Sequence, residues 1–403
     1  MKNIIIGSGI AGLHIALQLL DKNDTDFLIF EKDDFNKSKI FTIKNTVVRK
    51  DGTKEDVVVE MGPSVFHDKQ VELMKLLKKL NLENTFEYVD PKAKAYFVYP
   101  GMTSDEAKKL WKELKKRVFE LTDETITLEE GAKRVLNKEE YKLLKTCWGE
   151  WYEINNTNLQ VLKKSLKEEG KYIVMKGGLT QIIERATELV KKAGKDKIQY
   201  KCGIKKVVYD GSVYTVYDCN DKVYSCENVY LCANLKCALE IEFEGIPEVR
   251  EYLSLAKLKH CLRCLVYFDK PINIPYKFIM GKYLGRYSIK YSDHLWLVAY
   301  PDDVVALKLY NMPKERFIND WIEMINREFK LSLNYKDTLN KYTGYWDDAY
   351  CVLKKDFYEK GEGEVEKGKY LRTNLKNKNI LVTTLPKDNG EDAPWMEGYL
   401  FKI

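Results

Sequence analysis

Apolar positions recur along this chain in two rhythms, and each change of rhythm marks an element. Ile4, Ile5 and Ile6 form an unbroken β-branched run, the pattern of a strand buried on both faces. Leu13 to Leu20 follow as a helix-length apolar stretch and Phe27 to Phe30 as a second short strand, so the chain opens on β-α-β. Val57 to Met61 reads as a third strand. Gln70 to Leu80 has apolar residues at 71, 73, 74, 76, 77 and 80, a helical stripe. From about 86 to 171 the chain reads as mostly helical and rich in Lys and Glu, with Thr127-Leu-Glu-Glu130 as a capping box. Lys171 to Leu179 is a strand-like run ending at Gly177-Gly178, and Thr180 to Lys192 is the helix after it. Strands are expected at 197–201, 204–209, 213–218, 222–226 and 229–233, with Asp210-Gly211 as a turn. Residues 241 to 350 read as β-rich segments around one amphipathic helix, Lys314 to Phe329. A polar stretch from Glu359 to Asn379 leads to a last strand at 380–384. No internal repeat or low-complexity tract is visible.

The first turn carries chemistry. Gly7, Gly9 and Gly12 stand in GxGxxG spacing between the opening strand and helix. In such a turn the first glycine makes the bend and the second lets the backbone approach a pyrophosphate. The third lets helix and strand pack closely, with the phosphates on the helix N-terminus. Glu31 ends the second strand nineteen positions past Gly12, where a carboxylate accepts hydrogen bonds from the adenosine ribose hydroxyls. Glycines at this spacing also occur in ordinary turns. The strand before, the helix after and the acid at the end of the next strand together define a dinucleotide site.

Composition restricts the partners. With 403 residues, 32% charged and 45% hydrophobic, the chain reads as a globular protein long enough for two domains. The net charge of +6 is modest. Lysines interleave with glutamates, as in Lys108 to Lys116, a solvated helix face with Leu110, Trp111 and Leu114 inward, so no nucleic-acid groove is expected. No apolar run approaches transmembrane length, and no targeting segment is read ahead of the first strand. Nine scattered cysteines point to reduced thiols and a cytoplasmic setting. Cys261 and Cys264 have CxxC spacing, but at the mouth of an apolar strand pattern, Leu262 to Phe268, which suits packing better than redox chemistry. The four histidines, His14, His67, His260 and His294, form no ligand pair, so no metal site is expected.

Taken in order, these pieces resemble the flavin-containing amine oxidase superfamily, the monoamine and polyamine oxidases with protoporphyrinogen oxidase as a cousin. Four blocks carry the resemblance: Gly7-Ser-Gly-Ile-Ala-Gly12 with Glu31; Glu60-Met-Gly-Pro-Ser-Val-Phe-His67; Gly177-Gly178-Leu179 with Ile204-Lys-Lys-Val207; and Pro394-Trp-Met-Glu-Gly398. It implies an α/β fold: a discontinuous Rossmann-type FAD-binding domain from 1–85, 171–240 and 375–403, and a substrate domain of mixed sheet plus helices from 86–170 and 241–374. It also implies non-covalent FAD, a small-molecule substrate giving hydride to flavin N5, and reoxidation by oxygen or another acceptor. The implied cofactor contacts are Gly7, Gly9, Ile10, Ala11, Gly12, Glu31, Lys32, Lys39, Gly62, Pro63, Ser64, Ile204, Trp395 and Met396. A helix start at Trp395-Met396 would stabilise negative charge on the reduced flavin.

The chain also departs from the family. The Gly-Gly-Arg that follows the ribose-binding acid falls on Lys37, Ser38 and Lys39, so Lys39 offers phosphate a point charge without a bidentate fork. Two side chains where the family has none should crowd the flavin ring or displace the loop. Val382-Thr-Thr-Leu385 replaces an Ala-Gly-Glu, and five residues follow Gly398, which shortens the last helix. The lysine that amine oxidases hold at N5 begins a Lys-Cys-Ile-Val-Tyr strand. Arg263-Cys-Leu-Val-Tyr267 stands here, so Arg263 is the implied catalytic residue, with Trp395. Arginine stays protonated and cannot act as a base. The other reading is that Arg263 points outward from a strand end, because strand register is open in sequence. Tyr345, Trp346 and Tyr350 are expected as substrate walls, and Cys351 is not expected to link the flavin. Two rival functions stay open: a non-oxidase flavoenzyme on this scaffold, such as a desaturase or sugar-nucleotide mutase, and a redox-silent FAD- or nucleotide-binding protein.

Overall fold

In a computed structural model the described residues are 1–34, 38–89, 93–123, 125–149, 151–165, 170–281, 287–359, 365–386 and 400–403. The opening run forms the middle strand, Asn3–Ile6, of a five-stranded sheet. Its order is Ile380–Val382, Asn228–Leu231, Asn3–Ile6, Phe27–Phe30 and Ile198–Gln199, and every pairing is parallel. Successive side chains alternate faces, so Ile4 and Ile6 enter one core with Val229, Leu231 and Val382. Ile5 enters another with Leu13, Leu17, Ile182 and Ile183, on the helices Ile10–Asp21 and Thr180–Lys192. Both faces are covered, which is why the run is apolar throughout. The strands following Asn3–Ile6 in space lie on its two sides, so a crevice opens at its carboxyl end, where Gly7 stands.

On the first of those cores sits a four-stranded sheet, Val223–Cys226, Tyr214–Asp218, Ile204–Tyr209 and Glu242–Glu244. A larger mixed sheet lies beyond it, ordered Thr338–Leu353, Ala256–Phe268, Leu295–Ala299, Tyr287–Lys290, Phe278–Gly281 and Ala95–Val98. Helix Lys314–Phe329 covers one face of this sheet, with Phe317, Ile318, Trp321 and Ile325 against Cys264, Val266 and Phe268. The stretch expected to be helical holds Ser104–Phe119, Leu128–Val135 and Lys138–Cys147, with Thr127 and Glu130 forming the expected capping box.

The third strand, expected at 57–61, is present as Lys54–Glu60. It pairs antiparallel with Thr42–Val48, and one face of the pair, with Ile43, Val47, Val57 and Val59, enters a separate core with Met61 and Leu265. Two readings need correction. The 241–350 region contains further helices, Pro247–Ser254 and Asp303–Tyr310, each too short to show several turns of periodicity. The polar stretch before the last strand holds helix Lys367–Asn377, which buries only Leu371 and Leu375 among its large apolar residues. No helix among the described residues is long and apolar enough to cross a membrane.

Candidate functional site

One cavity of about 840 Å³ runs from the glycine turn to the large mixed sheet, in the upper part of the roughly 300–1,000 Å³ range of ligand sites. Gly7, Gly9, Ile10, Ala11, Glu31, Lys32, Lys39, Gly62, Pro63, Ser64, Ile204 and Arg263 all line it. Trp395 and Met396, with the rest of 394–398, lie outside the described residues, as does Lys37.

The glycine turn that lines the cavity fits a pyrophosphate. Gly7 has φ +107°, and a Cβ there would meet the Cys232 carbonyl oxygen at 2.9 Å. Around a Cβ placed on Gly9 there is nothing within 4 Å: that backbone faces open cavity. Gly9 caps helix Ile10–Asp21 without a side-chain hydrogen bond, and no acidic residue occupies the first turn. The helix dipole and its first N–H groups are therefore left for an anion. Gly12 does not line the cavity. A Cβ there would run into the Gly7 carbonyl oxygen, so its place is the contact of helix and strand.

Glu31 sits beside this turn. One of its oxygens accepts the Ser8 N–H at 2.9 Å and the Ser8 hydroxyl at 3.0 Å, and the other accepts the Asp33 N–H at 3.0 Å. A carboxylate offers about four acceptor positions, so a ribose hydroxyl would use the remaining one or displace the Ser8 hydroxyl. Lys32 reaches the Cys237 thiol, a contact that raises the lysine pKa. Ile204 begins its strand opposite Asp218, and the ladder slips between Ile204 and Lys206, which leaves Lys205 in a bulge at the cavity edge.

The departures from the family pattern also face this space. Lys39 gives its ammonium to the Asp348 backbone carbonyl and stands 3.8 Å from the Asp348 carboxylate. Burial lowers the lysine pKa and raises that of Asp348. The Lys39 carbonyl packs so closely on Gly62 that a Cβ there would overlap it. Thr383 and Thr384 line the cavity and turn back to the Leu231 carbonyl, Thr383 through its N–H at 2.9 Å.

Arg263 is 1% exposed, and its register settles its direction. It pairs with Gly344 and shares a strand face with Leu265 and Tyr267, whose core includes Met61 and Trp346, while Cys264 and Val266 face helix Lys314–Phe329. The reading in which Arg263 points outward is thereby corrected. Its guanidinium donates to the Gly62 carbonyl and, at 2.9 Å, to the Tyr291 hydroxyl, and lies 4.7 Å over the Tyr300 ring. The same alternation separates Cys261, which lines the cavity, from Cys264, which does not. Both are free and buried.

Of the expected aromatic walls, Trp346 and Tyr350 line the cavity. Tyr345 does not: its hydroxyl is 3.0 Å from His260 Nδ1 and its ring stacks on Tyr310 at 4.1 Å. Neighbours on a strand face opposite ways. Tyr287 and Tyr300 were not anticipated. They lie on separate segments that meet only in the sheet, their rings edge to face at 5.6 Å. Among the described residues no group of three or more His, Cys, Asp or Glu is placed to hold a metal.

Comparison with known proteins agrees with this arrangement. The model of the family described as flavin containing amine oxidoreductase matches residues 10–161. Among solved structures, putrescine oxidase bound to putrescine is similar, with TM-score 0.69 and 16% identity over 99% of this chain and 96% of that one. Cyclohexylamine oxidase from Brevibacterium oxydans IH-35A gives TM-score 0.70 and 14% identity at the same coverage. Curated protein sequences yield no match. The family match falls within the N-terminal part of the chain, and the solved amine oxidases share its fold from end to end.

Proposed function

We propose that this chain binds FAD without a covalent bond and oxidises a small amine at the Arg263 end of the cavity. The observation carrying this reading is the continuity of one cavity from Glu31 and the Gly7–Gly9 turn to Arg263 and its aromatic neighbours. When bound, the flavin supplies the redox chemistry, accepting hydride from a substrate C–H bond and passing electrons to oxygen or another acceptor.

The protein's own groups bind, orient and exclude water. Gly9, Ile10 and Ala11 would present backbone N–H groups to the diphosphate, Gly7 making the bend with its own N–H held by the Phe30 carbonyl, and Glu31 with Ser8 would hold the ribose. Ile204 and Lys32 border the adenosine. Gly62, Pro63 and Ser64 carry the backbone along the ring system, and the Arg263 contact to the Gly62 carbonyl fixes that segment. Lys39, neutralised by Asp348, braces the loop rather than presenting a free cation. Tyr287, Tyr300 and Trp346 supply apolar walls. Trp395 and Met396 remain proposed contacts, and a cytoplasmic location and the division at 85, 171, 240 and 375 are proposed with them. The test is the absorption spectrum of the purified protein, then anaerobic titration with a panel of amines. A flavin spectrum bleached by at least one amine is expected. A yellow protein that no amine reduces would overturn the amine assignment, and a colourless one would overturn the cofactor.

A further inference from the structure

We infer that the substrate carries a carboxylate, and that Arg263 is the residue that receives it. The inference rests on the reading of this cavity as a flavin and substrate site, and it narrows the substrate to an amine that is also an acid.

Arg263 is 1% exposed, and a guanidinium is charged at every working pH. Among the described residues no carboxylate forms an ion pair with it. Its contacts are a carbonyl, a phenol and the face of a ring, and Nε is buried without a hydrogen-bond partner. The other buried carboxylate nearby is Glu60, whose oxygens are taken by the Leu179 N–H at 2.6 Å and the Thr42 hydroxyl at 2.9 Å. Lys39, a half-buried cation of the same cavity, has Asp348. Glu60 is the carboxylate whose charge interacts with Arg263, yet the two make no ion pair, and burying a charge without a hydrogen-bonded counter-ion is costly.

Its surroundings fit a small anion with an apolar body. The guanidinium is held over the Tyr300 ring by its bonds to the Gly62 carbonyl and the Tyr291 hydroxyl, and a planar donor fork suits a carboxylate. Tyr287 and Trp346 border the same part of the cavity. Gly344, opposite Arg263 in the ladder, leaves its side-chain space to the Trp346 ring and Met61. A diamine, cationic at both ends, would bring a second positive charge to a buried one that lacks an ion pair, so this site selects against such substrates.

Calorimetric titration of the FAD-loaded protein with benzoate and with benzamide, its neutral isostere, tests the inference without turnover. Benzoate should bind at least tenfold more tightly. Arg263→Lys should keep most of that preference, and Arg263→Met should bring the two affinities within about twofold. Equal binding of both ligands by the wild type, or a benzoate preference that survives Arg263→Met, would overturn the assignment. Should Arg263→Met not fold, the wild-type ratio and its behaviour in Arg263→Lys decide alone. Flavin content and reduction by amines are read separately. Equal binding with amine-driven bleaching leaves the proposed function standing, whereas absence of flavin removes both.

Discussion

One oxygen of Glu31 accepts both the backbone N–H and the hydroxyl of Ser8, at 2.9 and 3.0 Å. The acid at the end of the second strand thus shapes the turn after the first, as well as facing the cavity. The consequence is that ligand and loop share one carboxylate.

Glu31→Ala should therefore weaken FAD by about 1.5–3 kcal/mol, the range for hydrogen bonds to a charged group, or roughly ten- to a hundredfold. Glu31→Gln keeps one acceptor and should fall between wild type and Glu31→Ala. Titration of apo-protein with FAD measures this, and unchanged affinity in Glu31→Ala would remove Glu31 from the site.

Gly9 and Gly12 should fail in different ways. The Cβ of Gly9→Val enters open cavity, so the variant should fold with near wild-type melting as apo-protein and lose flavin. The Cβ of Gly12→Ala meets the backbone of Gly7, so that variant should lose about 1–3 kcal/mol of stability whatever its flavin content. Thermal unfolding of both apo-proteins separates the two roles, and a stable Gly12→Ala would contradict the packing described.

Burial raises the Glu60 pKa, against the opposing hydrogen bonds from the Leu179 N–H and the Thr42 hydroxyl. A carboxyl with a folded pKa above its unfolded one binds its proton more tightly when folded. Its stabilising effect is complete below the unfolded value and is lost as pH rises through the folded one. Wild type should therefore gain on Glu60→Gln in melting temperature as pH falls across the carboxylate range. Parallel melting curves of the two proteins across that range would contradict this linkage.

Oxygen should be a slow acceptor. Lysine can be tuned by burial to move a proton, whereas a guanidinium keeps its charge. Arg263→Lys should raise the rate of aerobic flavin reoxidation after chemical reduction, followed by stopped-flow absorbance, with FAD content nearly unchanged. A wild-type rate that matches fast oxidases, or no effect of the substitution, would refute this.

Local sequence determined the parts whose physics is local. The Ile4–Ile6 run, the Gly7-to-Gly12 turn with Glu31, helix Thr180–Lys192, helix Lys314–Phe329 and the Thr127 cap were all legible, because periodicity, turn geometry and capping act within a few residues. Tertiary structure decided what depends on register and on segments far apart in the chain. Whether Arg263 faced the cavity or solvent turned on a strand alternation that a one-residue slip would invert, and its pairing with Gly344 resolved it. The same alternation sent Trp346 inward and Tyr345 to His260. That Lys39 would meet Asp348, 309 residues away, or that Tyr300 would lie beneath Arg263, has no local signature: such neighbours are set by how sheets pack, and chain spacing does not encode it.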